Sequence, residues 1–287
     1  MTHDDVGTTL PGRVGIYGGG RMGAGIAHGF ALAGTDVVIM ESGDDQARAA
    51  RERVEGFLVK SRERVDPELD VGAVLSRVAV TSSIGELAGT DLVIEAVPED
   101  PALKIDVLRR AAEAAPEAWL ATNTSSLSID SIAEGLPRPE GFIGLHFFNP
   151  VPASALVEVV VGRQTDQTLT GLATRWVEAL GKTAITVRDA PGFASSRLGV
   201  AIALEAMRMV EDGVASAADI DTAMELGYRH PMGPLRTTDV VGLDVRLAIA
   251  EHLAAEVGSR FEPPQILRRL VAEGRLGRKS GGGFYDW

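Results

Sequence analysis

Apolar and polar positions alternate in two rhythms through the first two thirds of the chain. Short apolar runs at residues 35–40, 91–97, 118–122, 142–146, 156–161 and 184–187 read as strands, and an earlier one, Arg13-Val14-Gly15-Ile16-Tyr17, runs into a cluster of glycines. Helical patterns at residues 22–34 and 101–115 lie between such runs. Buried parallel strands separated by helices predict a doubly wound α/β sheet. Residues 44–64 and 67–77 read as two polar helices, an excursion between the second and third strands. They form either a solvated hairpin or a flap that touches a ligand. After Asp189-Ala190-Pro191-Gly192 the strand signal stops, residues 198–210 are almost continuously apolar, and helical segments run to the end. The expected organisation is an α/β domain over 13–189 and an all-α domain over 190–287. A helix apolar on most faces is either central to its domain or part of a subunit interface.

The glycines sharpen the first domain. Gly18, Gly20 and Gly23 fit the spacing G-x-G-x-x-G, between a strand-like run and a helix-like one. A backbone without Cβ approaches a pyrophosphate closely, and the helix start supplies N–H groups and a partial positive charge. Glu41 follows the second strand, 18 residues after Gly23. That is about where an acid bonds both ribose hydroxyls of an adenosine, and an acid there repels a 2′-phosphate. The expectation is a Rossmann-type domain that binds NAD, set against Glu41 as an ordinary loop acid.

Composition narrows the partners. Lys and Arg number 28 against 40 Asp and Glu, a net charge of −12, so no basic surface suits a nucleic acid. There is no cysteine, which removes disulfides, thiolate metal sites and a thiol nucleophile, and fits a cytoplasmic protein. The first dozen residues lack the apolar core of a signal peptide, and no run of about 18 apolar residues is present to cross a membrane.

Candidate chemistry lies at strand ends. Asn123-Thr124-Ser125-Ser126 follows one, where small polar groups can bond a substrate oxygen; alternatively Ser126 or Ser128 caps a helix beginning near Ile129. His146 ends another apolar strand. Glu158 interrupts the run Leu156-Val157-Glu158-Val159-Val160-Val161, where a buried carboxylate costs several kcal/mol without a partner. If the two strands are adjacent, Glu158 meets His146. A carboxylate on one ring nitrogen fixes the tautomer and stabilises the imidazolium, and the other nitrogen serves as base. Such a pair suits removal of an alcohol proton while its carbon gives up hydride.

Several motifs now resemble one family in its own order. They are Val93-Ile94-Glu95-Ala96-Val97, Asn123-Thr124-Ser125-Ser126-Leu127, residues 145–151, Pro191-Gly192-Phe193, His230-Pro231-Met232-Gly233-Pro234 and residues 277–285. Over residues 13–287 the chain resembles the L-3-hydroxyacyl-CoA dehydrogenases, most of all the bacterial 3-hydroxybutyryl-CoA dehydrogenases. The resemblance implies NAD-dependent interconversion of a 3-hydroxyacyl and a 3-oxoacyl thioester, in a homodimer joined through its helical domain. Residue by residue, it makes His146 the catalytic base, Glu158 the acid that orients it, and Ser125 a contact to substrate and coenzyme. Glu99, Lys104, Asn149 and Lys279 become coenzyme contacts beside Gly18, Gly20, Arg21, Met22, Gly23 and Glu41.

The chain departs from the family pattern at three places. Ser196 stands where the family has an Asn that bonds the substrate oxygen. It could contact that oxygen directly or through water, serve another substrate, or cap a helix. Ala153-Ser154-Ala155 replaces a stretch that usually carries a lysine. In the excursion, Phe57 and Arg64 occupy the positions of the family's CoA-binding Ser and Lys, with Lys60 nearby. Lys60 and Arg64 are the candidate CoA contacts. These departures leave a second substrate expectation open, a hydroxyacyl group on an acyl carrier protein or a free hydroxy acid. A third expectation, from Ser196 alone, is a protein that binds NAD without turnover.

Overall fold

The computed structural model describes residues 10–287. It divides into two compact units, one ending at Asp189 and one from Ala190 to Trp287. The N-terminal stretch in which no signal peptide is expected lies, up to residue 9, outside the described residues.

The first unit is built on one eight-stranded sheet. In chain order its strands are β1 (Arg13–Tyr17), β2 (Asp36–Met40), β3 (Val78–Thr81), β4 (Leu92–Glu95), β5 (Trp119–Thr122), β6 (Phe142–Phe147), β7 (Leu156–Val161) and β8 (Thr183–Arg188). Their order across the sheet is β3-β2-β1-β4-β5-β6-β7-β8. The chain therefore winds outward from β1 to β3, then returns to β1's other side at β4. A ligand crevice opens at such a reversal, beyond the carboxyl ends of β1 and β4. The helices are α1 (Arg21–Leu32), α2 (Asp44–Arg64), α3 (Val71–Leu75), α4 (Pro101–Ala114), α5 (Ile129–Ala133) and α6 (Gln167–Ala179). The doubly wound α/β expectation holds.

Three details differ from the sequence reading. β3 is an extra strand at the sheet's edge. It is four residues long and mostly uncovered, so its pattern is not that of a buried strand. The second excursion helix shrinks to α3, whose start is set by Asp70 accepting from the Ala73 N–H at 3.0 Å. The third difference is direction: β6 and β7 pair antiparallel, whereas every other pair is parallel. Only residues 148–155 join them, too few for the crossover a parallel pair needs.

The core of this unit packs β-strand residues such as Val14, Ile16, Ile39 and Ile94 against α1, α2 and α6. α2 is polar, yet Ala47, Ala50, Val54 and Leu58 give it one buried stripe, the 3–4 spacing of an amphipathic helix.

The second unit is helical: α7 (Ser195–Glu211), α8 (Ala217–Thr222), α9 (Pro234–Val241), α10 (Leu243–Val257) and α11 (Gln265–Ala272). Val200, Leu204, Met207, Leu235, Leu253 and Leu267 are among its core. Two buried acids tie down its C-terminal tail. Asp239 accepts from the N–H groups of Phe284 and Tyr285 and from the Trp287 indole, each at 2.9 Å, and Asp221 accepts from the Tyr285 hydroxyl at 2.7 Å. Burial and Asp221 push the Tyr285 hydroxyl well above the usual phenol range.

Candidate active site

The glycine loop leaves β1 in a conformation open to glycine. Gly18 has φ 99°, and a Cβ there would lie 2.9 Å from the Ala96 carbonyl oxygen. A Cβ on Gly23 would run into the Gly18 carbonyl oxygen, so Gly23 lets α1 start against the loop. A Cβ on Gly20 would meet nothing within 4 Å. Gly20 caps α1 without a side-chain bond, and the helix's first turn holds no acid. Glu41 follows β2 and accepts from the Gly19 N–H at 2.7 Å. Arg53, from α2, donates to the Gly19 carbonyl at 3.1 Å. Gly18, Gly20, Glu41, Ser42, Val97 and Arg110 line part of a cavity of about 500 Å³. A bare cradle, an uncapped helix start and an acid at the end of β2 fit a dinucleotide with a free ribose 2′-hydroxyl.

A neighbouring cavity of about 370 Å³ gathers Met22, Glu99, Lys104, Ser125, His146 and Asn149. Strand ends deliver most of them: Glu99 follows β4, Ser125 follows β5, His146 lies near the end of β6, and Asn149 lies in the link to β7. The Asn123 side chain accepts from the Phe147 N–H at 2.9 Å and ties the ends of β5 and β6 together.

His146 and Glu158 are register partners across the antiparallel pair, so both side chains stand on one face of the sheet. Nδ1 of His146 lies 2.7 Å from Oε2 of Glu158, which is fully buried. A short bond to a buried carboxylate holds the ring's orientation.

Glu99 organises the loop after β5. One of its oxygens accepts from the Thr124 hydroxyl at 2.6 Å and from the N–H groups of Ser125 and Ser126 at 2.9 and 3.2 Å. Burial pushes its carboxyl up, but the bonds from Thr124 and Ser125 and the charge of Lys104 outweigh this and hold it below the usual carboxylate range. Ser126 thus turns to Glu99, and the capping alternative belongs to Ser128, which accepts from the Ser131 N–H at 3.1 Å.

The remaining sequence candidates fall elsewhere. Lys60 and Arg64 are exposed, one turn apart on α2, and neither lines the His146 cavity. Phe57 is partly buried against the core, its ring edge-on to His28 at 6.1 Å. In the second unit, Lys279 pairs with Asp244 at 2.6 Å, and its bond holds the Asp244 carboxyl below the usual range. Ser196 sits in the first turn of α7, where Ala194 holds the cap position, so helix capping is not its role. Before it, Gly192 and Phe193 have φ 73° and 49°, a left-handed turn that costs Phe193 about 1–3 kcal/mol.

Two residues had no role in the sequence reading. Lys182, ahead of β8, donates to the carbonyls of Val151 and Ser154 at 2.7 and 2.6 Å, and so brings a cation to the stretch that lacks the family's lysine. Glu95 is fully buried and bonds Lys104 at 2.7 and 3.0 Å. The signal that singles out Glu158, an acid within an apolar strand, is present at Glu95 too.

Comparisons with known proteins place the chain in a family. The family model described as "3-hydroxyacyl-CoA dehydrogenase, NAD binding domain" matches residues 13–190, and its C-terminal domain model matches residues 192–287. The chain is 40% identical over 281 residues to a probable 3-hydroxybutyryl-CoA dehydrogenase of Deinococcus radiodurans, covering 96% of this chain and 100% of that one. It is 39% identical over 282 residues to human mitochondrial hydroxyacyl-coenzyme A dehydrogenase, covering 95% and 90%. The crystal structure of (S)-3-hydroxybutyryl-CoA dehydrogenase from Ralstonia eutropha superposes with a TM-score of 0.92 at 38% identity, covering 96% and 99%. With both domain models matched end to end, the chain belongs to the 3-hydroxyacyl-CoA dehydrogenase family.

Proposed function

We propose that this protein oxidises a short L-3-hydroxyacyl-CoA, such as 3-hydroxybutyryl-CoA, to the 3-oxoacyl-CoA with NAD, or runs the reverse reaction. The observation that carries the reading is the His146–Glu158 pair, 2.7 Å apart, on the wall of the cavity that also holds Ser125. His146 takes the hydroxyl proton at Nε2, while Glu158 at Nδ1 stabilises the imidazolium formed. Ser125, held by Glu99, donates to the substrate oxygen as it becomes a carbonyl, and Ser196 is a second candidate donor. When bound, NAD supplies the hydride acceptor. Gly18, Gly20, Arg21, Met22, Gly23 and Glu41 would hold its adenosine and pyrophosphate, and Glu99, Lys104, Asn149 and Lys279 its reactive end. Lys60 and Arg64 would meet the CoA. NADH formation from L-3-hydroxybutyryl-CoA tests the proposal, and a rate no better than that of His146→Ala would refute it.

Ser196 and the Phe57–Arg64 positions favour a second reading, the same chemistry on an acyl carrier protein or a free hydroxy acid. Rates compared across the three carriers separate them, and a strong preference for CoA removes the second.

The domain roles belong to the same proposal, with residues 13–189 binding coenzyme and 190–287 serving substrate and dimerisation. In the second unit Leu198, Leu226 and Tyr228 are 63%, 79% and 77% exposed, apolar surface suited to a homodimer interface. Light scattering at micromolar concentration should give twice the chain mass. Among the described residues no helix is long and apolar enough to cross a membrane. A cytoplasmic location is part of the proposal, and cell fractionation checks it.

A further inference from the structure

Glu95 ends β4 without touching the cavity, yet it makes four short polar contacts. Its oxygens take the Lys104 ammonium at 2.7 and 3.0 Å, the Val97 N–H at 2.6 Å and the Thr122 hydroxyl at 2.6 Å. Lys104 is 1% exposed, and besides Glu95 it reaches the Val97 carbonyl and Glu99, both at 3.2 Å. Two carboxylates thus share one buried ammonium, and the closer, two-oxygen claim is Glu95's. Glu99 lies further away, at the cavity wall, with its other oxygen held by Thr124, Ser125 and Ser126. The three charges sum to −1, and of the two carboxylates Glu99 is the one at the cavity.

The substrate carbon that loses hydride bears the hydroxyl whose proton goes to His146. The reacting ring of the coenzyme must therefore come to the cavity that His146 and Glu99 share. That ring is cationic in NAD+ and neutral in NADH. A negative charge in a partly desolvated wall stabilises the first and leaves the second nearly unaffected.

We propose that Glu95 sets the coenzyme site's preference between the two redox forms: by taking the closer share of Lys104 it leaves the three-group cluster with a net negative charge beside the cavity, and that charge favours NAD+. The inference rests on the functional reading above only for where the ring lies. Glu95 itself is a positioning residue, acting through Lys104.

The test is equilibrium binding of NAD+ and of NADH, by calorimetry and by NADH fluorescence, without any acyl substrate. In Glu95→Gln the ammonium keeps Glu99 as its one carboxylate partner, and the cluster becomes neutral. The ratio Kd(NAD+)/Kd(NADH) should then rise by at least about threefold. In Glu95→Asp, which keeps the counter-charge beside Lys104, the ratio should stay within about twofold of wild type. This variant also keeps the test decisive if Glu95→Gln alone does not fold, because it buries no unpaired ammonium. Equal weakening of both coenzymes in Glu95→Gln, or a raised ratio in Glu95→Asp, would overturn the proposal and leave Glu95 a structural residue. Failure of the functional reading looks different: the expected ratios with no hydroxyacyl oxidation by the wild type.

Discussion

His146 and Glu158 occupy facing positions on β6 and β7, and their side chains meet at 2.7 Å because the two strands run antiparallel. Glu158→Gln keeps the shape of this contact and removes its charge. It should lower kcat by about 100-fold and change NAD+ affinity by less than about threefold. Equal losses in the two would mean that Glu158 supports the fold instead. Steady-state kinetics beside coenzyme titration reads both.

The glycine loop separates stability from binding. Gly20→Ala meets no atom within 4 Å in the protein, so it should cost at most about 1 kcal/mol of stability while weakening NAD+ by at least about tenfold. Gly23→Ala collides with the Gly18 carbonyl and should cost about 2 kcal/mol or more, with coenzyme binding lost. Urea denaturation and NAD+ calorimetry on the two variants check the contrast.

Lys182 bridges two carbonyls in the segment that also holds Asn149. Lys182→Met leaves both without this donor and should cost about 1–3 kcal/mol. The KM for NAD should rise through the loosened Asn149, with kcat little changed. An unchanged denaturation midpoint would show that water replaces the ammonium at no cost.

Acid should destabilise the first unit through His28. This ring is 3% exposed, bonds the Ser61 hydroxyl at 2.9 Å, and leaves Nδ1 buried without a hydrogen bond. Burial, helped by the charge of Lys182, brings its pKa from 6.5 to about 4. Between those values the unfolded chain takes up a proton that the folded protein refuses. Stability therefore falls as pH drops from 6.5 towards 4, by roughly 3 kcal/mol, and this contribution levels off below. His28→Gln should flatten that part of the melting profile. A parallel decline in variant and wild type would assign it to other groups.

Ser196→Asn tests the departure nearest the chemistry. If the shorter hydroxyl limits activity on CoA thioesters, the amide should raise kcat/KM for 3-hydroxybutyryl-CoA by several-fold, since it reaches further and can donate two hydrogen bonds. A fall would show that the site is built around serine.

The coenzyme loop was legible because its parts are local. Gly18, Gly20, Gly23 and Glu41 belong to one strand–helix–strand unit, where spacing along the chain is close to spacing in space. Glu158 was legible for another reason: an acid inside an apolar strand demands a partner, and His146 was at hand. Glu95 makes the same demand, but its partner Lys104 lies on a helix that reads as amphipathic, and a lysine in a helix gives no sign of being buried. β3 escaped notice because an edge strand with one half-open face has no continuous apolar run. Phe57 looked like an altered ligand contact, and the structure turns it towards His28.

By itself, then, the sequence determined the doubly wound sheet, the helical second unit and the coenzyme cradle, since burial periodicity and short-range spacing dictate these. Only the tertiary structure decided the strand order, the antiparallel turn that sets His146 against Glu158, and the sharing of Lys104 between Glu95 and Glu99. The His146–Glu158 pairing depends on register and on which face a side chain leaves, and a one-residue slip would part the two without altering the pattern of apolar runs.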